Sequence, residues 1–341
     1  MRSSPGRNGL REFRVAKVGV AMAVYRPDIL FLARQLVTIR EQAYTNWVCV
    51  ITSDSPLEEF TADPRIVPFM ADRRFIWLQN GERLGHKKNF ERAIQEVLAR
   101  GAEAIACSDQ DDVWYPEKLA VLVEELRAAG PLSLVHSDLH VFEDEERGIT
   151  IESAWRVEQR GVGNARPRHL FVRNVVTGCS MMFDAELARR FPVIPEEVGF
   201  HDHWYAIAAA SCGRVVALRR PLLAYRQHAS NVLGARPFIW NPKLPPGNRL
   251  AEEINGRMIR WREFRGLVLV AMREGVPVPL PFRMIFLWRF DQGLGFILAG
   301  LAQLGRDRPL ARLRIRIGIG KFADGIAAFG RLFRPGGAGR G

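Results

Sequence analysis

The sequence predicts an α/β fold with a mostly parallel central sheet flanked by helices. Short apolar runs alternate with stretches of helical period through the first 130 residues, which is typical of repeated βαβ units. The chain has 341 residues, of which 48% are hydrophobic and 25% charged, close to the average of globular proteins. This composition excludes a disordered tail protein, a collagen-like fibre and a low-complexity scaffold.

The strands and helices of the first half follow from this alternation. Buried strands are predicted at the apolar runs, residues 17–24, 47–51, 75–78 and 104–107. Helical faces lie between them at residues 29–37 and 90–98, and Gly101 ends the second helix. Parallel strands leave their carboxyl ends at one edge of the sheet, where ligands bind in such folds. The polar residues directly after each strand are therefore the first candidates for a site.

The second half carries weaker patterns. Residues 133–136 and 215–218 are expected to be strands, and an apolar helix is expected over residues 201–210. Residues 143–168 show no sustained periodicity and are predicted to form a polar flap.

The net charge of +12, from 49 basic and 37 acidic residues, is the one extreme of the composition. Most of the excess lies at the two ends, in residues 1–17 and 305–341. This distribution favours a membrane-surface or solubility role for the ends over nucleic-acid recognition.

The four cysteines stand far apart without CxxC spacing, which indicates neither a disulfide framework nor a zinc site.

We divide the chain into a basic N-terminal tail at residues 1–16, a main domain at 17–233 and a helical, basic extension at 234–341. The first apolar run is short for a signal peptide, which favours a strand. Residues 284–304 contain charges that a bilayer centre disfavours, so they are expected to form interfacial or partner-packing helices. Aromatic residues beside arginines suit contact with lipid headgroups, with core packing as the alternative; they are Trp240, Trp261, Phe286 and Trp288.

An acidic turn follows the predicted strand 104–107. Asp109, Asp111 and Asp112 lie within four residues, where carboxylates repel one another and a bound cation would compensate them. Oxygen ligands without a nearby Cys or His pair favour Mg²⁺ or Mn²⁺, ions that commonly accompany a diphosphate. A solvated turn that caps the next helix, with Pro116 in its first turn, is the alternative. The position after a buried strand favours the metal site.

A second acidic candidate stands at the start of the helix predicted over 201–210. Asp202 lies between His201 and His203, and residues two apart on a helix diverge, which argues against a metal site there. Asp202 is expected either to cap the helix, the commoner role for an isolated Asp, or to face a cleft as a base.

Several segments taken together resemble glycosyltransferase family 2, and most closely its bacterial rhamnosyltransferase-like members. They are VAMAVYRP at 20–27, Asp54, GHKKNF at 85–90, SDQDDVWYPEKL at 108–119, HSDL at 136–139, NVVTGC at 174–179, HDHW at 201–204 and YRQHASN at 225–231. The resemblance covers residues 17–233. It implies a GT-A fold with a nucleotide-sugar-binding half, residues 17–130, and an acceptor half, residues 131–233.

The resemblance also implies roles for individual residues. Asp109 and Asp111 match the DxD pair, which implies binding of the divalent ion and the nucleotide ribose, and His228 is expected against the metal or diphosphate. Asp202 matches the base that takes a proton from the acceptor hydroxyl, which implies inversion at the anomeric carbon. The implied cofactors are Mg²⁺ or Mn²⁺ and a donor that is a dTDP- or UDP-sugar.

Further residues are assigned to the donor and to the acceptor by the same resemblance. The donor residues are Tyr25, Arg26, Asp54, Lys88 and Asn89, with Arg26 standing where the family often has Asn. The residues expected to contact the acceptor or to support the site are Trp114, Thr177, Gly178, His201, Trp204 and Arg226.

The function so implied is metal-dependent, inverting transfer of a sugar, with rhamnose as first candidate, to a glycan or lipid-linked acceptor of a cell-surface polysaccharide. The expected location is the cytoplasm, with peripheral contact at the inner membrane face. Two other classes stay open: a nucleotidyltransferase acting on sugar phosphates, which lacks support from a glycine-rich phosphate loop, and a basic nucleic-acid-binding protein, which lacks a recognition motif.

Overall fold

A computed structural model describes residues 13, 15–143, 146–158, 165–171, 173–228, 264 and 266–279. The chain divides into two compact units, Met1–Pro277 and Val278–Gly341, and the strands and helices named below belong to the first. The helices and aromatic residues predicted beyond residue 280, and nearly all of the N-terminal tail, lie outside the described residues. The domain boundaries at residues 16, 130 and 233 stay predictions. No helix within the described ranges has the length and apolar character needed to cross a bilayer.

The described residues form strands and helices in alternation through the first half. The strands are β1 Val18–Val24, β2 Trp47–Ser53, β3 Phe75–Gln79, β4 Ala104–Ser108, β5 Val113–Trp114, β6 Leu134–Phe142, β7 Ile149–Ile151, β8 Met181–Asp184 and β9 Val215–Arg226. The helices are α1 Ile29–Arg40, α2 Glu58–Thr61, α3 Val67–Met70, α4 His86–Ala99, α5 Lys118–Ala129, α6 Ala154–Val157, α7 Pro167–Leu170, α8 Ala185–Arg190 and α9 His201–Cys212. A short 3₁₀ turn at Gly178–Ser180 precedes β8.

The strands of the described residues join one sheet, in the order β3-β2-β1-β4-β8-β6-β9-β5, with β7 paired to β6. β3, β2, β1 and β4 run parallel, as predicted. β8 is antiparallel to both of its neighbours, β6 and β9 are parallel, and β5 is antiparallel to β9. The α/β class with flanking helices is therefore confirmed, and parallel pairing gives way to mixed pairing beyond β4.

Helices cover the parallel strands, which explains why these strands are apolar at nearly every position. β1 and β2 are buried along almost their whole length. α1 begins at an N-cap, Asp28, whose carboxylate accepts hydrogen bonds from the backbone N–H groups of Leu30 and Phe31. α4 packs against β1 and β2 through Phe90, Ile94 and Val97 on its buried face. This layer fixes the edge of the sheet from which the candidate residues extend.

The predicted polar flap contains more regular structure than its sequence indicates. This segment contains β7 and α6, and α7 begins in it and ends at Leu170. Residues 144–145 and 159–164 are outside the described ranges. α6 begins at Ser153, whose hydroxyl accepts a hydrogen bond from the backbone N–H of Arg156. The side chain of Trp155 is buried, so this segment packs onto the domain. Elements of three or four residues are too short to produce a periodic pattern, which is why the sequence did not predict them.

We expect Gly19→Ala to destabilise the domain, because α4 contacts β1 without space for a methyl group there. A Cβ at Gly19 would lie 2.6 Å from Val97 Cβ and 2.8 Å from Ala102 Cβ. Overpacking of this kind lowers the free energy of unfolding by about 1–3 kcal/mol. Urea denaturation measures the change, and Gly81→Ala is the control, since no atom lies within 4 Å of its Cβ position. Equal stability of the two variants would contradict this packing.

Candidate active site

A cavity of about 1070 Å³ opens at the carboxyl ends of β1, β2 and β4 and faces the start of α9. It holds most of the residues that the sequence singled out. Those on its wall are Tyr25, Arg26, Asp54, Asn89, Asp109, Asp111, Thr177, Gly178, His201, Asp202 and His228. Carboxylates from the first half and from the second half of the domain therefore face a common space.

Four of the predicted site residues are not on this wall. Trp114 and Trp204 are core residues, only 2% and 0% exposed. Arg226 is buried beneath the cavity, where its guanidinium stacks on the rings of Phe31 and Phe142. Trp114, Trp204 and Arg226 are buried away from the cavity wall, so direct contact with an acceptor is wrong for them. Arg226 supports the site through its hydrogen bonds to Asp111 and Asp112.

Lys88, the fourth, pairs with carboxylates instead of facing the cavity. Its Nζ lies 3.1 Å from Glu91 and 3.3 Å from Glu196. The neighbouring Lys87 donates hydrogen bonds to the backbone carbonyls of Pro195, Glu196 and Val198. Both ammonium groups tie α4 to the segment that leads into α9, so Lys88, which the resemblance assigned to the donor, is engaged by protein acceptors instead.

The acidic turn after β4 is held by the end of β9. Arg226 donates from Nε to the carbonyl of Asp111 at 2.9 Å and from its backbone N–H to Asp112 Oδ1 at 3.2 Å. His228 Nε2 lies 2.8 Å from Asp111 Oδ2. Because two elements far apart in sequence meet here, the carboxylates of Asp109 and Asp111 keep defined positions on the cavity wall.

The electrostatics of the turn reflect crowded negative charge. Burial, followed by the charges of Asp111 and Asp202, raises the pKa of Asp109 to about 7. Burial also raises the pKa of Asp112 well above its usual value. Lys118 is a nearby positive group, and its own burial lowers its pKa to about 7. The repulsion between Asp109 and Asp202 shows that the two halves bring their carboxylates close together.

Tyr25, Arg26 and Asp54, which the resemblance assigns to the donor, lie at the ends of β1 and β2. Gln110 holds the backbone of Tyr25 on both sides, accepting from its N–H and donating to its carbonyl. The guanidinium of Arg83 lies 4.3 Å from the centre of the Tyr25 ring, and that of Arg26 lies 5.2 Å away. This end of the cavity is therefore aromatic and cationic.

Asp54 organises the loop that leads into α4. Its Oδ1 accepts hydrogen bonds from Asn80 Nδ2 at 2.6 Å and from the backbone N–H of Leu84 at 2.9 Å, and its Oδ2 accepts from Gly85 N–H at 2.8 Å. Asn80 also bonds to Asn89, the predicted donor residue at the start of α4. Asp54 thus shapes this end of the cavity as well as lining it.

Asp202 stands in the first turn of α9. The cap position of this helix is Phe200, so the capping role weighed for Asp202 does not apply. Its Oδ1 accepts hydrogen bonds from the backbone N–H of His203 at 2.6 Å and from Asn174 Nδ2 at 3.0 Å. The side chain of Asp202 lines the cavity.

His201 fixes the start of α9 against the first half of the domain. Its ring is 3% exposed and stacks on Phe90 of α4 with 3.9 Å between ring centroids. Burial lowers the pKa of His201 well below its usual value, so its ring is neutral. A Cβ on Gly178 would lie 2.8 Å from His201 Nε2, so glycine permits this close contact. His201 and Gly178 set the distance between the two walls.

Residues 20–189 match the family model for glycosyl transferase family 2. The chain belongs to this family. It is therefore a family 2 glycosyltransferase with the GT-A fold. This membership decides against the nucleotidyltransferase and the nucleic-acid-binding protein that the sequence had left open.

Two curated proteins are similar to this family 2 glycosyltransferase over part of their length. One, from Sinorhizobium fredii, is the uncharacterized protein y4gI, 28% identical over 130 residues that cover 36% of this chain and 13% of the relative. The other is the dTDP-rhamnosyl transferase RfbG of Shigella flexneri, 24% identical over 159 residues that cover 44% of this chain and 52% of the relative. The matched regions thus span about half or less of either curated relative.

Two solved structures are similar to this chain at low sequence identity. The mannosyltransferase PcManGT of Pyrobaculum calidifontis, in complex with GDP-Man and Mn²⁺, is 18% identical with a TM-score of 0.46, over 94% of this chain and 88% of that one. Residues 1–349 of S. aureus TarS, in complex with UDP, are 14% identical with a TM-score of 0.49, over 93% of both chains.

The acidic turn of this glycosyltransferase fits a hard divalent cation. Asp109, Asp112 and Cys179 bring ligand atoms within 4.8 Å of one another, but burial raises the pKa of the Cys179 thiol well above its usual value. A protonated thiol is a poor ligand, so the carboxylates are the relevant donors. Asp109 and Asp111 face the cavity, with the imidazole of His228 beside Asp111. This donor set suits Mg²⁺ or Mn²⁺.

Three functional residues were missed at the level of sequence: Arg83, Gln110 and Asn174. All three line the cavity. Gln110 stands inside the DxD segment, and Asn174 is the first residue of the NVVTGC segment. Their positions inside these two motifs could have indicated both residues from the sequence. Arg83 lies in a loop with no pattern of its own. Only the fold shows that this loop returns to Tyr25.

We expect the affinity for Mn²⁺ to rise with pH around neutrality. Binding needs the ionised carboxylate of Asp109, whose pKa of about 7 means that protons compete with the cation below that pH. The affinity should increase roughly tenfold between about pH 6 and pH 8, with proton release on binding. Calorimetry in two buffers of different ionisation enthalpy measures both quantities. An affinity independent of pH, with no proton release, would contradict the placement of Asp109.

Proposed function

We propose that this glycosyltransferase inverts the anomeric carbon and depends on a divalent ion held by Asp109 and Asp111, with His228 in support. The observation that carries the proposal is that Asp109, Asp111 and Asp202 face one cavity, with the charges of Asp111 and Asp202 both acting on Asp109. A cation site and a proton acceptor within one cavity are the two parts that direct displacement requires.

In the proposed reaction, Asp202 accepts the proton of an acceptor hydroxyl as that oxygen attacks the anomeric carbon. The bond between this carbon and the diphosphate oxygen breaks on the opposite face, through an oxocarbenium-like transition state, which gives inversion. The divalent ion, when bound, supplies Lewis-acid stabilisation of the charge that develops on the leaving diphosphate. The neutral His201 keeps the start of α9, and with it Asp202, at a fixed distance from the donor wall.

The donor is proposed to be a dTDP- or UDP-sugar, with dTDP-rhamnose first. The similarity to a protein named dTDP-rhamnosyl transferase supports this choice. The nucleobase would lie at the Tyr25 end of the cavity, where Arg26 and Arg83 flank the ring and Asp54 holds the loop before α4. Guanidinium and phenol groups stack on and hydrogen-bond to carbonyl-rich pyrimidines.

The acceptor is proposed to be a glycan or a lipid-linked glycan of a cell-surface polysaccharide, used at the cytoplasmic face of the inner membrane. The cavity supports a large acceptor, because a volume of about 1070 Å³ lies at the upper end for small-molecule sites. The basic ends of the chain support attraction to an anionic membrane surface.

A donor screen with two active-site variants tests the proposal. Purified protein is titrated with nucleotide sugars in the presence and absence of Mn²⁺, and product stereochemistry is read by NMR. We expect one donor to bind only with the ion, and Asp111→Ala to lose that binding. Asp202→Asn should bind donor and ion normally, while turnover falls about 10²- to 10⁴-fold for loss of a general base.

The matched control is Asp63→Asn. It makes the same chemical change as Asp202→Asn at an ion pair with Arg65, remote from the cavity wall. Its turnover should equal that of the wild type, since an exposed pair of this kind contributes little to stability. Wild-type turnover by folded Asp111→Ala or Asp202→Asn protein, or retention of anomeric configuration, would refute the proposal.

A further inference from the structure

Asn174 approaches the proposed base with a defined orientation of its amide. Its Oδ1 accepts a hydrogen bond from the backbone N–H of Val176 at 3.0 Å. Its Nδ2 donates to Asp202 Oδ1 at 3.0 Å. Because the carbonyl side is engaged by a backbone donor, the NH₂ group has to face the carboxylate, and the reversed amide would place two acceptors together.

The same carboxylate oxygen accepts a second hydrogen bond, from the backbone. The N–H of His203 lies 2.6 Å from Asp202 Oδ1, in the first turn of α9. Two donors on one oxygen fix the plane of the carboxyl group and favour its ionised form. The N-terminus of α9 favours negative charge there as well.

The segment that carries Asn174 is itself held against α9. Gly178, four residues on, touches the His201 ring so closely that a Cβ would lie 2.8 Å from Nε2. Thr177 and Gly178 line the cavity together with Asn174. Residues 174–178 therefore form a strap that lies along the start of α9 and holds the amide at the carboxylate.

We infer that Asn174 is a positioning residue for catalysis: its amide holds the Asp202 carboxylate ionised and aimed at the acceptor hydroxyl. The inference rests on the proposed function, in which Asp202 is the base. It goes beyond that function because it assigns the orientation and the protonation state of the base to a residue on a different segment. A merely structural Asn would affect folding without changing how the rate depends on pH.

Two variants separate these roles. Asn174→Ala removes the donor, and Asn174→Asp keeps the shape of the side chain while replacing the donor by an acceptor. For Asn174→Ala we expect kcat to fall about 10- to 100-fold, the usual effect of losing one hydrogen bond to a charged group. At saturating Mn²⁺, where protonation of the neighbouring Asp109 no longer limits ion binding, the acid limb of the pH profile of kcat should move up by about one pH unit, and for Asn174→Asp by more.

The chain offers a matched control in Asn80, whose Nδ2 donates to Asp54 Oδ1 at 2.6 Å. Asn80→Ala removes the same kind of amide–carboxylate bond at the nucleobase end. We expect it to raise KM for the donor and to leave the acid limb of the profile in place. Donor and Mn²⁺ binding, measured by calorimetry, should stay at wild-type levels in Asn174→Ala.

The outcomes distinguish failure of the inference from failure of the proposed function. If Asp202→Asn is inactive and Asn174→Ala or Asn174→Asp keeps the wild-type pH profile, the inference is wrong and the proposed base stands. If Asp202→Asn turns over at the wild-type rate, the proposed function itself fails. Because Asn174→Asp preserves packing, it gives a profile even where the alanine variant does not fold. A shifted acid limb with unchanged donor binding supports the inference.

Discussion

Repulsion among the carboxylates at the end of β4 is the constraint on which the rest of the site depends. Burial raises the pKa values of Asp109 and Asp112, and the negative charge of Asp111 raises both further. Lys118 is a nearby positive group, and its charge lowers the pKa of Asp109 in part. Its ammonium group lies 3.4 Å from the centre of the Trp114 ring. The carboxyl groups that face the cavity belong to Asp109 and Asp111, whereas Lys118 is buried, so acidic groups predominate on the cavity side, which is the electrostatic setting that a dication stabilises.

The second half of the domain supplies the remaining support for this turn. The end of β9 brings Arg226 to the backbone of Asp111, and His228 to its carboxylate. Lys118 donates to the carbonyl of Cys179, beside the strap formed by residues 174–178. The turn is thus held by elements that also carry the proposed acceptor side. A change in the packing between the halves would therefore alter the cation site and the proton acceptor together.

The first half of the fold could be predicted closely, because buried parallel strands and amphipathic helices leave strong periodic patterns. The run predicted at 104–107 is β4, Ala104–Ser108, and that at 75–78 is β3, Phe75–Gln79. The direction of β8 could not be predicted, since no crossover helix of recognisable period precedes it. Among the site residues, motif position could not distinguish Asp111, which faces the cavity, from Arg226, which holds it from beneath.

The two walls of the cavity carry different charged groups. The wall formed by the first half of the domain carries the acidic turn together with Arg26 and Arg83, whereas Asp202 faces the cavity from the start of α9. Attack opposite the leaving group requires the base and the cation site to lie on different sides of the reacting carbon. The turn after β4 and the start of α9 are separate elements, so they can lie on these two sides, whereas a single loop could not. His201 packs between Phe90 and Gly178, so side-chain packing holds the start of α9 against α4. The enzyme therefore has its proposed geometry of inversion built into the contact between α4 and α9.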